Sequence, residues 1–303
     1  MACSAMARRI LAGLTSSMTN SYPPAGGGPT TSGPVTLVVG GTGQSGSRVA
    51  ARLSDRGVPV RIAARSSRPR FDWQDDSSWA PALDGVAAAF LSYHPDIGDP
   101  SAPEHIGSFA RQAVERGAGR LVLLSGRGSH NALAAERALH ESGADWTIVR
   151  CSWFAQNFTE GFLTDLVRSG ELAFPAGRVA EPFIDADDVA EVAVAALLED
   201  RHIGQVYEVS GPRLLTFADA AAELSAAVGR PLRYRPISFD EFADVLIQAG
   251  APAEAVAGTV AVLQEILDGR NAHLADGVQR ALGRPASDFA DYARAVARTA
   301  VLG

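Results

Sequence analysis

The segment Val35–Leu53 constrains this chain more than any other. Val35–Val39 is a short β-branched apolar run suited to a buried parallel strand, and helical spacing resumes over Ser47–Leu53. Between them stand Gly40, Gly41, Thr42, Gly43, Gln44, Ser45 and Gly46. Gly41, Gly43 and Gly46 satisfy G-x-G-x-x-G, while Gly40, Gly43 and Gly46 satisfy G-x-x-G-x-x-G in the same loop. The first glycines permit a tight strand-to-helix turn, the middle one lets backbone approach a pyrophosphate, and the last lets the helix pack closely on the strand. An anion then meets free N–H groups at the positive helix end. Glycine turns also occur without a ligand. Here a second strand at Val58–Ala64 arrives at βαβ distance, which is the context a dinucleotide site requires.

From Val35 onward apolar runs alternate with helical patterns. Strands are predicted at Val35–Val39, Val58–Ala64, a very short Arg70–Trp73, Val86–Leu91, Leu121–Leu124, Trp146–Val149 and Val206–Val209, with helices near Ser45–Asp55, His105–Arg116, Asn131–Ser142 and Ala186–Leu198. This alternation predicts an α/β fold, a doubly wound parallel sheet of Rossmann type with ligands outside the carboxyl ends of the strands. Thr216 reads as an N-cap for a helix through Val228 that Gly229 ends, and further helical patterns cover Ser238–Ile247, Ala253–Leu267 and Asp288–Ala297. The expected organisation is a disordered tail over 1–33, a dinucleotide-binding domain over 34–153 with 180–212, and a smaller, mainly helical substrate-capping region over 154–179 with 213–303.

The chain of 303 residues carries a formal charge of −7, and nothing basic is clustered enough to neutralise several phosphates of a nucleic acid. No apolar stretch has the length to span a bilayer. Cys3 and Cys151 provide neither a disulfide framework nor zinc spacing, and Cys151 reads as a small packing residue. The chain contains no lysine, so every cation of that kind is arginine. Schiff-base lysines, P-loop lysines and a Tyr-x-x-x-Lys dyad are thereby excluded.

Each strand end offers chemistry. Arg65, helped by Ser66 and Arg68, stands where a carboxylate would accept the ribose hydroxyls of NAD(H), and a cation there accommodates the 2′-phosphate of NADP(H). Asp72 and Trp73 offer an acceptor and a ring to adenine, or else belong with Trp79 to a surface cluster. Ser92, Tyr93 and His94 follow the next run, and Ser125, Arg127 and His130 the one after it. Tyr93, His94, Ser125 and His130 are the candidate proton donors, each with a bland alternative as turn, cap or packing residue. Glu136 and Arg137 read as helix-surface or phosphate-region residues. Trp153, Phe154 and Asn157 suit the wall of a small-molecule pocket. In Glu181–Ala190 the carboxylates read as caps for a helix, through Asp185 or Asp187, and no metal site is expected.

Gly40–Gly46, Ala64-Arg65-Ser66, Phe71-Asp72-Trp73, Leu121–Ser125, Ser142–Arg150 and Trp153–Asn157 together resemble the NmrA-like branch of the atypical short-chain dehydrogenase/reductases, and the ergot-alkaloid-type reductases within it most closely. The resemblance implies NADP(H) held by the glycine loop and Arg65, with Ser92, Tyr93 and Ser125 near the cofactor. It also implies a pocket built from strand ends. That branch contains both reductases and nucleotide-binding regulators without turnover. Isoflavone-type reductases use a lysine that this chain lacks. Two functions are therefore expected: a cytoplasmic NADPH-dependent oxidoreductase, monomeric or homodimeric, reducing a small conjugated, quinone-like or iminium-containing molecule; and, alternatively, an NADP(H)-sensing regulator.

Overall fold

A computed structural model describes residues 33–299, so the tail expected over 1–33 lies, but for Gly33, outside the described residues. The chain runs β1 (Val35–Val39), α1 (Gln44–Asp55), β2 (Val60–Ala63), α2 (Trp79–Leu83), β3 (Val86–Leu91), α3 (Ala102–Glu115), β4 (Arg120–Gly126), α4 (His130–His140) and β5 (Asp145–Cys151). It continues through α5 (Thr164–Ser169), β6 (Glu171–Phe174), β7 (Ala180–Glu181), α6 (Ala186–Leu198), β8 (Gln205–Val209), β9 (Leu215–Thr216) and α7 (Phe217–Val228). β10 (Arg233–Pro236), α8 (Phe239–Gln248), α9 (Ala253–Ile266), α10 (Gly277–Leu282) and α11 (Phe289–Thr299) complete it.

Six strands form one parallel sheet in the order β2-β1-β3-β4-β5-β8. The two-residue period of a strand sends Val38, Phe90, Val122 and Val149 to one face and Leu37, Ala89, Leu121, Leu123 and Ile148 to the other. Helices α1 and α6 cover the first face, and α3 and α4 the second. Because β1 is followed by β2 on one side while β3 lies on the other, connections diverge there and leave a crevice beyond the carboxyl ends.

The short strand expected at Arg70–Trp73 is not formed. Phe71 N–H donates back to Ala64 O, closing a loop after β2, and Asp72 makes only an isolated bridge to Asp75. The alternating aromatics that mimic a strand are instead anchors. Phe71, Trp73, Trp79, Tyr93 and Phe109 interlock edge-to-face and tilted, and the indoles of Trp73 and Trp79 donate to Ser92 O and Asp72 O at 3.0 and 2.9 Å.

A further core gathers Phe158, Phe174, Phe183, Phe217, Phe242 and Phe289 with residues of α5, α7, α8, α9 and α11. Two small sheets, β6 with β10 and β7 with β9, help to order it. Thr216 and Asp219 form a reciprocal capping box at the start of α7, and Gly229 ends that helix at φ 67°. This core is stitched to the main sheet where the chain leaves β5. Ile184 N–H donates to Trp153 O and Ala155 N–H to Ile184 O, both at 2.9 Å, and Ser152 Oγ donates to Pro182 O at 2.6 Å. Asp185 then caps α6 by accepting from Asp187 N–H.

The turn after β1 is closed by Gly43 N–H donating to Gly40 O at 2.9 Å. A Cβ on Gly46 would lie 2.2 Å from Gly40 O and 2.9 Å from Gly41 Cα, so α1 meets the turn backbone to backbone. Gly46→Ala is expected to lower unfolding stability by about 1–3 kcal/mol, read as a shift in the denaturant midpoint at unchanged slope. Gly43→Ala, whose Cβ would meet only Gly40 O at 3.4 Å, should shift it little.

Candidate active site

A cleft of about 1590 Å³ follows the carboxyl ends of β1, β3, β4 and β5 and is walled on its far side by α9. Gly40, Thr42, Gly43, Gln44 and Ser45 line it near the middle. α1 starts at Gln44 with no side-chain cap and no acidic residue in its first turn, so its first N–H groups face the cleft uncompensated. Gln44 Nε2 is buried there without a hydrogen-bond partner. An exposed backbone cradle with an orphaned donor fits a diphosphate. Gly41 and Gly46 stand behind the cradle and serve packing, Gly41 against Ile62 and Gly46 against Gly40.

Arg65 and Ser66, both exposed, line the end of the cleft beyond β2. His94 belongs to this end too, with Nε2 3.5 Å from Arg65 Nη2. Burial lowers its pKa, and the neighbouring guanidinium of Arg65 adds to the effect while Asp72 opposes it. His94 thus stands beside Arg65 in the cleft lining. Asp72 takes Arg70 at 2.6 Å, and Trp73 is only 4% exposed, so just the rim of its ring reaches the cleft. Ser92 lines the cleft behind Gly40, where a Cβ on that glycine would approach it to 3.0 Å.

Toward β4 and β5 the lining changes to Ser125, Arg127, Cys151, Trp153, Phe154 and Asn157. The hydroxyl of Tyr93 is hydrogen-bonded to His105 Nδ1 at 2.8 Å and to Gln74 at 3.4 Å. Burial, with Asp99 adding, pushes its pKa up to about 12. Ser125 Oγ donates to Glu136 Oε1 at 2.6 Å, so its proton is committed away from the cleft. His130 stands outside the lining, its side chain 79% exposed and paired with Glu265 of α9. Its place is the first turn of α4, where it ties that helix to α9. Burial raises the pKa of Cys151, whose thiol contacts Val149 O, which fits packing rather than nucleophilic chemistry.

Glu136, expected on a helix surface, is instead 5% exposed and takes Arg150 through Nε at 2.9 Å and Nη2 at 2.5 Å as well as Ser125. Arg150 reaches on to Glu208 at 3.4 Å, and Glu208 receives His273 at 2.9 Å. Arg127 lies 7% exposed beside them and donates through Nη1 to Asn271 O and His273 O. Its Nη2 is 2.9 Å from Glu208 Oε1 but out of hydrogen-bond alignment, and Nε has no partner. Glu181, which sequence reading placed only in a capping cluster, lines the cleft as well. Nothing in its local pattern marks it, because its burial comes from β7 pairing with β9 and from the stitch to β5. Among the described residues no group of three or more His, Cys, Asp and Glu could hold a metal ion, and no helix is long and apolar enough to cross a membrane.

Residues 40–200 match the NAD(P)H-binding family. The oxidoreductase YesF of Bacillus subtilis is 33% identical over 279 residues, covering 86% of this chain and 94% of that one. Agroclavine dehydrogenase of Claviceps fusiformis is 29% identical, covering 84% and 95%. Among solved structures, the NADPH complex of the NADPH-dependent quinone oxidoreductase of Escherichia coli superposes with a TM-score of 0.68 at 21% identity, covering 86% and 99%. The negative transcriptional regulator NmrA superposes with 0.66 at 15% identity, covering 88% and 96%. The glycine cradle, the crevice beside it and these likenesses agree, and the chain belongs to the NAD(P)H-binding family of oxidoreductases, with the fold shared by NmrA.

Proposed function

We propose that this protein is an NADPH-dependent reductase that passes hydride to a small conjugated, quinone-like or iminium-containing substrate. The observation that carries the reading is the continuity of one cleft, from Arg65 past the glycine cradle to Arg127, Trp153 and the wall of α9. It leaves room for a second small molecule beyond a dinucleotide. In this reading Gly40 and Thr42–Ser45 hold the diphosphate, Arg65 and Ser66 receive the 2′-phosphate, and the nicotinamide lies toward Ser125. The bound nicotinamide supplies the hydride. Trp153, Phe154 and Asn157 orient the acceptor against it and exclude water. The NADPH named for the quinone oxidoreductase complex supports the choice of cofactor.

A specific observation favours a second reading. The Ser125 hydroxyl donates to Glu136, the Tyr93 hydroxyl is hydrogen-bonded to His105 and His130 stands outside the cleft lining, which is compatible with a nucleotide sensor without turnover.

Arg65→Asp is expected to weaken NADPH binding roughly 10- to 100-fold while changing NADH binding less than about threefold, measured by calorimetry. Equal losses would remove Arg65 from the 2′-phosphate. Gly43→Val should abolish binding of both nucleotides in a protein that still folds, because the side chain would fill the diphosphate cradle. Turnover separates the two readings: the reductase oxidises NADPH in the presence of a quinone, an enone or an iminium, and binding without oxidation across all three classes favours the sensor.

A further inference from the structure

Three buried polar atoms near the Ser125 end of the cleft have no partner: Arg127 Nε, Trp153 Nε1 and Glu181 Oε1. Glu181 is the unusual one. It is only 2% exposed although it lines the cleft, which puts it at the floor, and its Oε1 has no hydrogen-bond partner. No ion pair joins it to Arg127 among the described residues, although the two charges act on each other through space. Position is fixed by the backbone. Glu181 pairs with Leu215 in the two-strand sheet, and the next residues are stitched to Ser152–Ala155 at the end of β5. Its Cα is therefore fixed beside the end of β5, and the side chain is buried from there.

An ionised carboxylate in such a place, without donors, is expensive, so the neutral acid is favoured. Burial pushes the pKa of Glu181 up to about 7, with Arg127 opposing and the exposed Asp268 adding. The other titratable groups around it are accounted for. Arg127 faces Cys151, whose thiol burial keeps neutral, and Glu208, which is already held by His273 and Arg150.

We propose that Glu181 is the proton donor of the reaction and forms, with Arg127, a subsite for the carbonyl oxygen of a conjugated carbonyl substrate. This rests on the reductase reading above. When the electrophilic carbon of an enone or quinone gains a hydride, the displaced π electrons settle on the carbonyl oxygen. That oxygen takes the proton of Glu181: the carboxyl O–H bond breaks, an O–H bond forms on the substrate, and the carboxylate left behind is reprotonated from solvent. Arg127, a permanent cation that lines the cleft, stabilises the oxygen through its positive charge as it gains negative charge. The same cation disfavours a positively charged iminium, whose reduction needs no proton, so the subsite selects carbonyl electrophiles.

The test compares the full-length protein with Glu181→Gln, using a small quinone, a cyclic enone and a cyclic iminium at saturating NADPH. For the carbonyl substrates kcat should fall in the wild type as pH rises through about 7. Glu181→Gln should lower kcat at least about 100-fold and flatten that limb, with NADPH affinity unchanged and any iminium turnover undiminished. A readout independent of turnover follows from linkage. The unfolded carboxyl loses its proton near 4.5 and the folded one near 7, so the folded state holds more protons between these values. Wild-type stability relative to Glu181→Gln should therefore decline as pH rises through that window. Carbonyl reduction by Glu181→Gln at wild-type rate and pH dependence overturns the proposal, as does a stability difference independent of pH. So does a wild-type rate that is flat from about pH 5.5 to about 9, which requires no variant. A wild type that binds NADPH but reduces no substrate class overturns the reductase reading, and this proposal with it.

Discussion

The contact on which the rest depends is the approach of α1 to the turn after β1, where Gly46 rests on the carbonyl of Gly40 with no room for a methyl group. It aims the uncapped helix start, with Gln44 beside it, at the centre of the crevice. The helix is held in that direction by Val49 and Leu53, both fully buried against the sheet. Arg48 and Arg52 add a lateral tie. Arg48 takes Glu160 through two nitrogens at 2.9 and 2.7 Å, and both arginines reach Asp187 in the first turn of α6. The cradle, the start of α6 and the chain leaving β5 are thus one mechanical unit.

Behind the other end of the crevice, polar groups form a continuous chain: Ser125, Glu136, Arg150, Glu208 and His273, with Arg127 alongside. Each member orients the next, and the buried end at Ser125 and Glu136 is costly to disturb. The chain absorbs Ser125, whose hydroxyl would otherwise be the obvious donor to a substrate. It leaves out Glu181, which reaches the cleft from β7 by another route.

The glycine turn, the alternation of strands and helices, the Asp185 cap and the Thr216 box were legible because each is a local pattern with a local cause. The loop around Phe71-Asp72-Trp73 was misread as a strand. Alternating aromatics report that two side chains point inward, and a loop held by indole hydrogen bonds satisfies the same pattern as a ladder. The burial of Glu136 and Glu181 was illegible because a carboxylate on a helix or near a turn is ordinarily a solvated or capping group. Their burial arises from elements distant in sequence: Arg150 for Glu136, and β9 with the end of β5 for Glu181. His94 was named from its strand end alone, and the loop brings it beside Arg65.

With no lysine in the chain, ion pairs such as Arg48–Glu160, Arg150–Glu136 and Arg284–Asp188 all rest on guanidinium groups. A guanidinium keeps its proton throughout the range in which proteins are handled, so only the acidic partner of each pair ever titrates. Apart from the histidine pairs His130–Glu265, His202–Glu199 and His273–Glu208, alkali therefore leaves this electrostatic scaffold whole. Acid protonates those carboxylates, so the arginine pairs, unlike the buried Glu181, are open to disruption from the acid side alone.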